Sequence, residues 1–149
     1  MKVIYRKAVP DDAPACIVLR GRTRENAFSA EQLRAVGVTL ESWRSGIADD
    51  TLPGYVALAD GVLAGYCFGA RDTGEIVVLA LLPDYEGRGI GKTLLGLMVA
   101  QFKAMGLERL FLGCSSNPAV RSYGFYRHLG WRPTGAVDGL GDEVLEYVP

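Results

Sequence analysis

The chain of 149 residues contains a single histidine, His128, and only three cysteines, Cys16, Cys67 and Cys114. The cysteines are odd in number, far apart and flanked by apolar residues, which excludes a disulfide framework or a CxxC metal motif and predicts free, buried thiols. One histidine leaves a zinc site of the usual His/Cys kind without ligands, so the chemistry is expected to need no metal. Charge of one sign is also lacking: 16 Lys plus Arg stand against 17 Asp plus Glu, a net charge of -1. That is too little field to gather nucleic acid or an anionic membrane, so any anion site must be local. No stretch reaches the ~20 apolar residues of a membrane span. The first residues, Met1-Lys2-Val3-Ile4-Tyr5-Arg6, carry charges where a secretory signal would need its apolar run. These absences predict a cytoplasmic protein with neither a nucleic-acid nor a membrane partner.

What is present is the balance of a packed globular chain, 49% hydrophobic and 22% charged, with room for one domain over residues 1–149. Val3 to Ala8 reads as a strand, and Pro10-Asp11-Asp12-Ala13-Pro14 opens a helix running to about Arg22. Ser29-Ala30-Glu31-Gln32 and Thr39 ahead of Leu40 mark two further short helices. Tyr55–Ala59 and Val62–Phe68 flank Asp60-Gly61 and predict an antiparallel hairpin. Glu75 to Leu82 is so continuously aliphatic that it predicts a strand buried on both faces. Leu94, Leu95, Met98, Val99 and Phe102 recur at helical spacing up to Gly106, and a strand follows from Arg109 to Cys114. Pro118 is expected to open a helix through Leu129, before a last hairpin made of Trp131–Val137 and Val144–Val148. The order is that of a mixed α/β domain.

Between the aliphatic strand and the long helix lies Glu86-Gly87-Arg88-Gly89-Ile90-Gly91. Three glycines there let several backbone N–H groups point at one anion. The helix N-terminus adds its partial positive charge, and Arg88 and Lys92 add whole ones. A diphosphate suits such a loop, although a ligand-free tight turn has the same glycines. Gly91-Lys92-Thr93 also matches the end of a nucleotide-hydrolase phosphate loop. That motif needs glycine where Glu86 stands, and the strand Leu110–Cys114 ends without an aspartate for magnesium.

The loop resembles the motif of the GNAT superfamily of N-acetyltransferases: Gln or Arg, two residues, Gly, one residue, then Gly or Ala. Only Glu86 departs from it. Phe125-Tyr126-Arg127-His128-Leu129-Gly130-Trp131 is similar to a second family segment, Phe-Tyr-x-x-x-Gly-Phe, and the two occur in the family's order. The resemblance implies a mixed, largely antiparallel central sheet of about seven strands, flanked by helices on both faces. It also implies acetyl-CoA as co-substrate, with its pyrophosphate on Gly87, Arg88, Gly89, Ile90, Gly91 and Lys92 and part of its arm along Leu81.

By the same resemblance Tyr126 is the general acid for the departing thiolate, with Tyr123 as its backup, and Glu75 is a base acting through water. Read from the residues alone, Tyr126 also fits a core position on an amphipathic helix, and Glu75 a solvated strand end. Asn117 is either a coenzyme A contact or the cap of the helix at Pro118, its spacing to Tyr126 being longer than the family's. Cys114, in an apolar strand without a nearby histidine, suits a structural role better than a nucleophilic one, so direct attack in a ternary complex is expected. His128 reads as a surface residue and Trp43 as a core residue or part of the acceptor mouth. The acceptor, a small-molecule amine or a protein amine, is expected between 22–39 and 134–143. Those segments hold Arg22, Arg24, Glu25, Asp138, Asp142 and Glu143, a mixture favouring neither a polycation nor an acid. A homodimer is compatible with the sequence, and the rival reading is a module that binds acyl-CoA without turnover.

Overall fold

The computed structural model describes residues 1–24 and 27–149. Seven strands form one sheet: β1 Val3–Lys7, β2 Gly54–Ala59, β3 Val62–Ala70, β4 Glu75–Leu81, β5 Leu110–Cys114, β6 Arg132–Val137 and β7 Glu143–Tyr147. Their spatial order is β1-β2-β3-β4-β5-β7-β6, antiparallel throughout except for the parallel pair β4–β5. The β2–β3 turn forms as the sequence predicts, with both Asp60 and Gly61 at positive φ.

One face of the sheet is covered by α1 Ala13–Arg20, α2 Ala30–Ala35 and α3 Leu40–Ala48, the other by α4 Ile90–Ala104 and α5 Arg121–His128. On the first face Cys16, Leu19, Leu33, Trp43 and Ile47 pack on Val56, Tyr66 and Phe68. On the second, Leu94, Leu95, Met98 and Phe102 pack on Ala57, Cys67, Leu110 and Leu112. Trp43 makes edge contacts with Tyr66 and Phe68 and is thus a core residue. The two capping boxes form: Ser29 accepts from the Gln32 amide and Thr39 from the Ser42 amide, each bond being returned by the partner side chain. Cys16, Cys67 and Cys114 are free and buried. Among the described residues no helix is long and apolar enough to cross a membrane.

Three expectations need correction. The first helix is preceded by a 3₁₀ turn at Pro10–Asp12, where Asp12 accepts from the Val9 amide and pairs with Arg6, so α1 itself begins at Ala13. The last helix begins at Arg121, not Pro118: the Val120 amide bonds the Asn117 carbonyl, closing a turn with Pro118 at its second position. Most consequential, β4 is not buried on both faces, since Val77 is 48% exposed. Phe68 pairs with Val78 and Gly69 with Ile76, leaving Val77 as an extra residue opposite β3. This β-bulge reverses the side-chain alternation, so Ile76 joins the α4–α5 face while Val78 and Ala80 join the other.

The α4 face depends on Phe102, fully buried with its ring against the backbone of Gly69. Phe102→Ala is expected to lower unfolding free energy by about 3–5 kcal/mol, measured by urea denaturation; a loss under about 1 kcal/mol would show that the face repacks.

Candidate active site

Beside the bulge, β4 and β5 stop pairing. Their register is limited to Glu75 with Phe111, reinforced by the Phe111 amide donating to the Gly74 carbonyl at 3.1 Å. Beyond that point both strands line a cavity of about 600 Å³, with 75–81 on one wall and 112–115 on the other. The aliphatic run of β4 therefore faces a wedge rather than a neighbouring strand. Glu75 lies at its closed end and Leu81 at its open end, where the crossover to β5 places the glycine loop.

Gly87 and Gly89 sit at φ +74° and +82°, a conformation that L side chains resist. Gly89 is the N-cap of α4, and the Thr93 amide and hydroxyl both bond back to its carbonyl. Among the described residues, no protein acceptor takes a hydrogen bond from the amides of 87–92. Six successive donors at a helix N-terminus form an anion-binding nest. Gly91 brings the helix close to β4, for a Cβ there would lie 3.2 Å from Leu81.

The charges around this nest differ from the expected set. Lys92 lines the cavity, but the Arg88 guanidinium turns away to the Met1 sulfur at 3.8 Å. Two arginines that the sequence reading did not assign to the anion take its place. The Glu86 carboxylate, 14% exposed, accepts from Arg24 at 3.0 Å and lies 3.7 Å from Arg121. Glu86 thus ties the segment after α1 and the start of α5 to the loop. Arg24 lies at the glycine-loop end of the cavity, and Glu25 lies outside the described residues. Asn117 is not on the cavity wall; its side chain accepts from the Ala119 amide at 3.0 Å, so it serves the turn and neither caps α5 nor reaches the cavity.

Tyr126, on α5, is 9% exposed, makes edge contacts with Phe125 and Trp131, and lines the cavity; among the described residues its hydroxyl has no hydrogen-bond partner. Burial holds its phenol well above the ordinary tyrosine range, hence protonated. Tyr123 lies beneath the Arg127 guanidinium and is not on the cavity wall. Glu75 is on that wall, and burial, aided by the charge of Asp138, raises its carboxyl pKa. Cys114 is there too, its thiol pushed up by burial although Arg127 pulls the other way. Asp138 and Asp142 from the β6–β7 hairpin complete that end, while Glu143 is engaged by Arg127. His128 is exposed on α5 beside Lys92 and Arg121, in a shallow hollow adjoining the cavity. No group of three His, Cys, Asp or Glu side chains among the described residues could hold a metal ion.

A seven-stranded sheet splayed between the parallel strands β4 and β5, with a glycine nest at the open end, defines an acyl-CoA-type acetyltransferase fold. The model of the acetyltransferase (GNAT) family matches residues 17–131, and the chain belongs to that family. It is 24% identical over 147 residues to the phosphinothricin N-acetyltransferase of Alcaligenes faecalis, covering 93% of this chain and 74% of that one. It is also 36% identical over 80 residues to a Bacillus subtilis relative named for N-acetylating the alanine of ribosomal protein bS18. That match spans about half of each chain, 51%. The same architecture, at a TM-score of 0.83 and 22% identity over the full length of both chains, occurs in the PaiA N-acetyltransferase of Thermoplasma acidophilum, solved with coenzyme A.

Gly89→Ala forces a Cβ into the left-handed region, at a cost of about 1–2 kcal/mol, without touching any neighbour within 4 Å. Coenzyme A affinity by calorimetry is expected to fall about tenfold with the fold retained; unchanged affinity would remove the loop from the site.

Proposed function

We propose that the protein is an N-acetyltransferase that passes the acetyl group of acetyl-CoA to a primary amine by direct attack in a ternary complex. The observation that carries this reading is the wedge itself. A row of unpaired loop amides stands at its open end, and a buried phenol with no partner looks into it. The coenzyme A held by the Thermoplasma relative supports the same occupant here.

In this reading the amides of 87–92, with Lys92, Arg24 and Arg121 around them, hold the pyrophosphate, and Leu81 and its neighbours on β4 line the arm. The thioester supplies an activated acetyl carbon. The free amide edge of β4 past the bulge offers fixed donors for its carbonyl oxygen, which gains negative charge during attack. An alkylammonium with pKa ~10.4 is neutral only to about one part in 10³ near pH 7, so the acceptor must lose a proton. Glu75 takes it, directly or through water; its raised pKa makes it a better base than an ordinary glutamate. Tyr126, protonated at any working pH, gives a proton to the sulfur as the C–S bond breaks and the N–C bond forms. Cys114 has neither an ionised thiol nor a histidine partner, which favours one-step transfer over an acetylated enzyme. The unpartnered Tyr126 hydroxyl likewise favours turnover over a silent acyl-CoA-binding module.

Two variants test these roles in steady-state assays of thiol release. Tyr126→Phe is expected to lower kcat by about 10²-fold or more while leaving coenzyme A affinity within about twofold; equal loss of binding would make the residue structural. Glu75 must be ionised to act, so its raised pKa places the low-pH limb of the rate profile above the ordinary glutamate range. Glu75→Gln is expected to abolish that limb, and an unchanged limb would return the proton to water or to the acceptor.

A further inference from the structure

The sequence segments assigned to the acceptor carry a mixture of charges, but the fold sorts them. Four cations line the wedge among the described residues: Lys92, Arg24 and Arg121 at its open end, the two arginines held by Glu86, and Arg20 at the end of α1. The other end is lined by Glu75, Asp138 and Asp142. None of the seven ion pairs seen among the described residues includes any of these three carboxylates. Asp138 is held rather than loose. One oxygen accepts from the Leu140 amide at 2.9 Å and the Asp142 amide at 3.0 Å. The other faces Gly113 on β5, where any Cβ would collide with the carboxylate. The charge of Asp138 bears on both Glu75 and Asp142, so the group is electrostatically one unit.

Carboxylates gathered by themselves would be no more than a solvated rim. Here they share a cavity with Tyr126, a residue nine-tenths buried whose hydroxyl has no partner among the described residues and is open to the same space. That hydroxyl marks where the reacting atoms meet, so the acceptor must arrive among these carboxylates.

We infer that the acceptor is a small amine bearing a second positive charge, with its reacting nitrogen at Glu75 and its far cationic group against Asp138 and Asp142. This rests on the acetyltransferase reading and narrows it. An acceptor whose amine is accompanied by a carboxylate would meet repulsion at the same place, and a monoamine without a second charge would leave both aspartates without a countercharge.

The test is a matched series of equal length, 1,4-diaminobutane, butylamine and 4-aminobutanoate, titrated calorimetrically into the coenzyme A complex and assayed for turnover with acetyl-CoA. The diamine is expected to bind at least tenfold tighter than butylamine, with the amino acid weakest. Asp142→Asn, and Asp138→Asn with its turn-making oxygen retained, should each cut that preference several-fold. Equal binding of the three amines, or preference for the amino acid, overturns the inference. Preference that survives both variants also overturns it. Selective diamine binding without acetylation would instead uphold this acceptor site and refute the transferase reading, so the two failures are distinct.

Discussion

The structure turns on one local irregularity, the extra residue at Val77. A regular β4 would carry its pairing with β5 along its length and close the sheet. The bulge bends and twists the strand, ends that pairing after Glu75 and Phe111, and leaves two strand edges facing a gap. Everything assigned to function borders that gap. The glycine nest stands where β4 ends, Tyr126 looks in from α5, and the β6–β7 hairpin brings two aspartates to the other end. An open edge between two strands in the middle of a sheet is costly to leave unpaired in water-poor surroundings, which is the physical reason to expect an extended ligand there.

The surrounding scaffold makes such an opening tolerable. Each face of the sheet has its own apolar cluster, and the one under α4 spans the gap, joining Ala57, Cys67 and Ile76 to Leu110, Leu112 and Leu145. On the far side, β5 is paired along its whole length with β7, from Leu110 with Tyr147 to Cys114 with Glu143. Trp131 stacks on Tyr147 at 5.3 Å between ring centroids and packs edge-on against Tyr126, tying the hairpin to α5. The wedge is therefore held open between two halves of one sheet that share the apolar cluster under α4.

Much of the fold was legible in the sequence because its signals are local. Ser29 and Thr39 announce their helices, Asp60-Gly61 its hairpin, and the 94–102 stripe its apolar face. The glycine loop and Tyr126 were legible because motif and chemistry coincide. What escaped were properties fixed by partners distant in sequence. The bulge leaves no mark in Ile76-Val77-Val78-Leu79, where a ligand-facing and a core-facing aliphatic strand look alike. Glu86 read as a departure from a pattern, yet its role depends on Arg24 and Arg121, 62 residues before in one case. Arg88 read as a loop cation and turned to Met1. The sorting of Arg24 from Asp138 and Asp142 to opposite ends of one cavity exists only in the folded chain.

The central claim is that coenzyme A occupies the gap beside the bulge, with its pyrophosphate on the unpaired amides. Residue-resolved hydrogen exchange of the protein with and without coenzyme A tests it most directly. The account predicts slowed exchange concentrated at 87–92 and along 76–81, with α1 to α3 little changed apart from their junction at Arg24. Binding accompanied by protection elsewhere, with those two segments exchanging as before, would contradict it.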